Sequence, residues 1–125
     1  MLLLCIDDDP EDVDFFCEAM KMVDPSATCL VARNGRDGLK LLETTLPDFI
    51  FLDINMPVMG GKETLAAIKK NSRLMAVPVC ILSTSVNKAE TMTYREMGAY
   101  RCFIKPNTFE ELCRMLKDFF LLAIP

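Results

Sequence analysis

Short, almost wholly apolar runs alternate along this chain with stretches where apolar residues return every third or fourth position. The runs cover residues 2–6, 28–32, 49–52, 78–82 and 102–104. A run that is apolar at nearly every position, not at every second one, fits a strand covered on both faces. Between the runs, Val13, Phe16, Cys17, Met20 and Val23 make one helical face. Leu39 and Leu42 line a shorter second helix, which Leu46 extends in one reading and Gly38 weakens. Leu65 and Ile68 mark a third, and Ala89, Met92 and Met97 a faint fourth from about 88 to 97. Phe109, Leu112, Cys113, Leu116, Phe119 and Phe120 give the last helix a strong face. The punctuation agrees. Asp9 can cap the first helix, Pro10 suits its first position, and Glu11 and Asp12 sit near the positive end of its dipole. Pro25-Ser26, Asn34-Gly35, Pro47 and the loop from Pro57 to Gly61 part the other elements.

Five strand-helix units in strict alternation predict an α/β fold, a doubly wound parallel sheet with five helices in three layers. Right-handed crossovers bring the carboxyl ends of all the strands to one edge, where ligands of such sheets bind. The 125 residues suit one domain, burying roughly two-thirds of its unfolded surface. The expectation is a single domain over residues 1–125, with no room for an output domain.

Composition narrows the chemistry. There are 14 Lys and Arg against 18 Asp and Glu, a formal charge of −4, which argues against general binding of nucleic-acid backbones. No histidine is present, which excludes Ser-His and Cys-His nucleophile pairs, His-bound zinc and a phosphohistidine on this chain. The six cysteines form no C-x-x-C pair and sit mostly in apolar runs, as core thiols do in a reducing cytoplasm. The apolar start runs straight into Asp7-Asp8-Asp9, unlike a signal peptide, and residues 119–124 are too few to span a bilayer. A cytoplasmic protein without a membrane partner is expected.

The polar residues at the strand ends carry the functional signal. Strand one ends in Asp7-Asp8, strand three in Asp53, strand four in Ser83-Thr84 and strand five in Lys105. If strands one and three are neighbours, three carboxylates converge. Like unit charges 4 Å apart repel by ~4 kcal/mol per pair at an effective dielectric of 20. Such a group calls for protonation or a cation, and a hard divalent ion such as Mg²⁺ takes oxygen ligands of this kind. With Lys105 and the Ser83 hydroxyl opposite, the set suits phosphoryl transfer onto Asp53, because neutralising phosphoryl oxygens is most of that task. Each residue also has a plainer role. Asp7 and Asp8 could cap the first helix, although two acids exceed what a cap requires. Asp53 could be a turn residue, Ser83 and Thr84 could satisfy strand-end backbone, and Lys105 could be a solvated lysine. Asp9 reads as the cap. Met92, Met97 and Met115 read as core filler, and the apolar tail as the end of the core face or a partner surface.

Four segments together resemble the receiver domain of two-component response regulators, of the stand-alone chemotaxis-regulator type. They are Ile6-Asp-Asp-Asp-Pro10, Phe51-Leu-Asp-Ile-Asn-Met-Pro-Val-Met-Gly-Gly61, Pro78-Val-Cys-Ile-Leu-Ser-Thr84 and Phe103-Ile-Lys-Pro106. The resemblance spans the whole chain. It implies a flavodoxin-like sheet of order 2-1-3-4-5. It also implies Asp53 as phosphoacceptor and metal ligand, Asp8 as a direct Mg²⁺ ligand, Asp7 as a ligand through water, and Asn55 as a backbone-carbonyl ligand. Ser83 then matches the switch hydroxyl and Lys105 the phosphoryl contact, with a cis peptide before Pro106. Asn55 and Ser85 flank the path of hydrolytic water. The implied partners are a sensor histidine kinase or histidine phosphotransfer protein upstream, and a protein target on the surface of helix four, strand five and helix five. The implied role is that of a signalling switch and not a turnover enzyme. One position departs from the family: Cys102 stands where a Tyr or Phe toggle is usual. Phe103 points to the other face, and Tyr100 shares the parity of Cys102 but could substitute for the toggle only if the strand starts early. Two other readings keep the same residues. A Mg²⁺-dependent phosphohydrolase would normally carry an acid where Asn55 stands, and a pseudo-receiver would lack an acid or the lysine.

Overall fold

The computed structural model describes residues 1–56, 58–84 and 87–123, with side chains as far as 121. The apolar runs become β1 (Leu2–Ile6), β2 (Thr28–Ala32), β3 (Phe49–Asp53), β4 (Val79–Ser83) and β5 (Arg101–Ile104). The helices are α1 (Pro10–Val23), α2 (Gly35–Leu42), α3 (Gly61–Lys70), α4 (Lys88–Glu96) and α5 (Phe109–Ala123). All strand pairs are parallel and the order is β2-β1-β3-β4-β5.

Alternation within each central strand feeds two separate cores. Leu3, Cys5, Phe49, Phe51, Cys80 and Leu82 face α1 and α5, against Phe16, Met20, Leu116 and Phe119. Leu4, Ile6, Ile50, Leu52, Val79 and Ile81 face the other way, against Leu42, Leu65 and Ile68 of α2 and α3. That double coverage is why these strands are apolar throughout. Aromatic rings knit the first core, with Phe16 and Phe51 centroids 4.8 Å apart and Phe49 and Phe120 5.2 Å apart.

Asp9 caps α1, its carboxylate accepting the Glu11 N–H at 2.9 Å. Other boundaries moved. α2 ends at Leu42, so Leu46 is not part of its face and is 55% exposed. Gly38 and the short apolar face leave that helix nothing to gain from another turn. Met92 is not core filler: it is 61% exposed, and α4 buries none of its residues. Met97 and Met115 do pack against the cores. At the chain's end Phe119 and Phe120 are buried and Leu121 is exposed. Pro57, Ser85 and Ile124 lie outside the described residues.

Candidate functional site

Strand register delivers the site. Ile6 pairs with Leu52, so Asp7 and Asp53 each come next at the same level of adjacent strands. Asp53 pairs with Leu82 and Ser83 with Ile104, which sets Ser83 and Lys105 along the same edge. Backbone bonds carry the pairing one step further: Asp7 N–H to the Ala32 carbonyl at 3.0 Å, Ile54 N–H to Leu82 at 3.1 Å, and Lys105 N–H to Ser83 at 2.7 Å.

Carboxylate oxygens of Asp7, Asp8 and Asp53 all lie within 4.8 Å of one another. Asp7 and Asp53 are only 2% and 3% exposed, whereas Asp8 stands on the exposed rim. The Lys105 ammonium reaches in from the position just after β5, 3.0 Å from Asp7 Oδ2 and 3.6 Å from Asp53 Oδ1. Its shortest contact is to Asp12 Oδ2 at 2.7 Å. Asp7 Oδ1 accepts the Asp9 N–H at 3.0 Å, and Asp53 Oδ1 accepts the Asn55 N–H at 3.2 Å.

One ammonium thus faces three acids, with Asp8 a fourth on the rim, and the electrostatics follow from that imbalance. Burial, then the charge of Asp7, push the Asp53 carboxyl up to about 7, and Lys105 and the Asn55 N–H only partly pull it back. Burial opposes the charge on Lys105, but hydrogen bonds to Asp12 and Asp7 outweigh it and hold the ammonium above its ordinary range. Hard oxygen donors, excess negative charge and one exposed ligand form a set that a divalent cation fits.

Asp7, Asp8, Asp53 and Lys105 are therefore brought together. Asn55 meets Asp53 through its backbone N–H, with its side chain exposed. Ser83 is half-buried and lines a crevice between α4 and the β4-β5 edge, together with Tyr94 and Cys102. Cys102 packs on the α4 side and Phe103 on the α5 side, as strand parity requires. Tyr100 lies before β5, and its ring meets Phe119 of α5 at 6.0 Å, so it does not share the Cys102 face. The Lys105–Pro106 peptide is trans, contrary to the form implied by resemblance. The tertiary amide separates the two forms by only ~0.5–1 kcal/mol, so local packing decides between them.

Two neighbours escaped the sequence reading. Asp12 passed for a helix-dipole charge, although it lies one turn after Asp8 and so on the side of α1 nearest the strand edge. Tyr94 gave no signal, because nothing in the faint periodicity of α4 marks its ring as facing Cys102.

The family model of the response regulator receiver domain matches residues 3–117. The probable C4-dicarboxylate response regulator DctR of Bacillus subtilis is 29% identical over 117 residues, covering 94% of this chain and 51% of that protein. This chain therefore spans about half the length of DctR. Response regulator Rcp1 of Synechocystis is 26% identical over 123 residues, covering 93% of this chain and 84% of Rcp1. The crystal structure of Mn²⁺-bound Rcp1 superposes with a TM-score of 0.87 at 25% identity, covering 98% of this chain and 94% of that one. That of the phosphorylated cyanobacterial phytochrome response regulator RcpA gives 0.89 at 25% identity, covering 99% and 95%. With the fold, strand order and matched length in agreement, the chain belongs to the response regulator receiver domain family.

Proposed function

We propose that residues 1–125 form one receiver domain in which Asp53 accepts a phosphoryl group from a histidine of another protein. The observation that carries this reading is the acidic triad within 4.8 Å, with Lys105 3.6 Å from Asp53. An Asp53 carboxylate oxygen attacks phosphorus while the bond to the donor nitrogen breaks. Lys105 neutralises charge on the phosphoryl oxygens, and the Ser83 hydroxyl donates to one of them. Asp8 and the Asn55 carbonyl would hold Mg²⁺ directly and Asp7 through water, and the ion supplies further neutralisation of the transferred group. The donor histidine must lie outside residues 1–125, which contain none, and a sensor kinase or phosphotransfer protein would supply it.

The signal leaves through the α4-β5-α5 surface. Met92, Tyr100 and Ile104 are exposed there, and the Ser83 crevice opens beside α4. A protein target and a cytoplasmic setting complete the reading. Among the described residues no helix is long and apolar enough to cross a membrane.

Intact-mass analysis after incubation with Mg²⁺ and acetyl phosphate tests the proposal. One phosphoryl adduct is expected on the wild-type chain, with none on Asp53→Asn. An adduct that persists in Asp53→Asn would sink it, as would the absence of any adduct with any divalent ion. Steady turnover of unrelated phosphoesters would favour a phosphohydrolase instead.

A further inference from the structure

The six cysteines are scattered in sequence, yet two of them meet in space. Cys17 on α1 and Cys29 on β2 are both half-buried, and their thiols share a hydrogen bond across 2.9 Å. β2 is an outer strand, and α1 contacts it from the sheet face that α1 shares with α5. Apolar atoms at rest sit ~3.5–4.0 Å apart, so this approach is closer than thiols packed as hydrophobes require. A disulfide needs a sulfur separation of ~2.05 Å, which leaves under ~1 Å to close. The other four thiols are placed differently. Cys5 and Cys80 are buried, Cys102 lies on the opposite face of the sheet, and Cys113 is on α5. The phosphoryl site uses none of them.

We propose that Cys17 and Cys29 form a reversible oxidation site, in which a hydroperoxide converts the two thiols into a disulfide tying α1 to β2. The Cys17 thiolate attacks one peroxide oxygen and the O–O bond breaks. The departing oxygen takes up a proton, and Cys17 becomes a sulfenic acid. Cys29 sulfur then attacks Cys17 sulfur, the S–O bond breaks, and a second water leaves with the Cys29 proton. Two thiols give up two electrons and two protons, and with hydrogen peroxide both of its oxygens end as water. The order of attack follows from the shared hydrogen bond. It favours a thiolate on Cys17 more than burial and the charge of Asp14 oppose one, while the same bond and burial keep Cys29 protonated. The tie would fix the helix that also carries Asp12, the shortest contact of Lys105.

The test treats the reduced chain of residues 1–125 with hydrogen peroxide, alkylates the remaining thiols, and maps peptides without reduction. The expected result is a loss of about 2 Da from two departing hydrogens. Cys17 and Cys29 are then found linked and protected from alkylation, and dithiothreitol restores both. In Cys29→Ser, Cys17 should stop at a sulfenic acid that dimedone traps. The proposal is overturned if both thiols of the wild-type chain stay open to alkylation, if only oxygen adducts accumulate, or if the link runs to Cys5 or to a second chain. The wild-type map decides these outcomes whether or not the variant folds.

Discussion

Asp53 is a carboxylate on which burial and a neighbouring charge act in the same direction. Its folded value of about 7 lies above the ordinary 3.8. Below the ordinary value the proton is bound in both folded and unfolded chains. As pH rises through the interval between the two values, the unfolded chain ionises first and stability drains away, the loss being complete above the folded value. Asp53→Asn removes that liability. In EDTA it should stabilise the chain by up to about 4 kcal/mol at pH 8 and by almost nothing near pH 3. Thermal unfolding at the two pH values reads this directly, and equal midpoints at pH 8 would mean that Lys105 already compensates the charge. Asp7, Asp8, Asp53 and Lys105 were legible because each ends an apolar run, so strand geometry alone delivers it to the edge. Asp12 was not, because its role depends on where a side chain from α1 meets one from just after β5, which no local pattern records.

Among the elements, the junction of β3 with α3 leaves little room. A Cβ placed on Gly61 would come within 2.7 Å of the Ile54 Cα and 2.8 Å of the Asp53 carbonyl oxygen. Both are backbone atoms and neither can yield without moving the loop that holds Asn55. Gly61→Ala should therefore cost about 1–3 kcal/mol and slow phosphoryl uptake, which denaturant titration and adduct kinetics would measure. An unchanged denaturation midpoint would show that the helix start can shift freely. The strands and strong helices were readable because burial on both faces or one broad stripe leaves a continuous pattern. α2 and α4 were misjudged at Leu46 and Met92 for the converse reason. These helices bury little, so an apolar residue near them need not face inward.

Over the whole molecule, a cation bound at the strand edge would join β1 to β3, and its binding energy would add to folding. If the acidic cluster holds Mg²⁺, saturating the ion at a hundred times its dissociation constant should stabilise the chain by about 2.7 kcal/mol. Calorimetric melts with and without Mg²⁺ would show the rise, and Asp8→Asn, on the exposed rim, should abolish most of it. Strand order is the global feature that periodicity could not supply, and it came only with resemblance. A physical trace of it does exist. β2 and β5 each carry exposed positions, at Thr28, Val31, Arg101 and Ile104, whereas β3 is buried throughout. Edge strands have one neighbour fewer, and their sequences are more polar for it.

α4 hides none of its nine residues, and half-buried Tyr94 is its main foothold on the sheet. A helix so lightly seated exposes almost no fresh oily surface when it slides. If the Ser83 hydroxyl follows a bound phosphoryl group as proposed, little packing would oppose its pull, and the rest of the interior could stay still while this one margin rearranges.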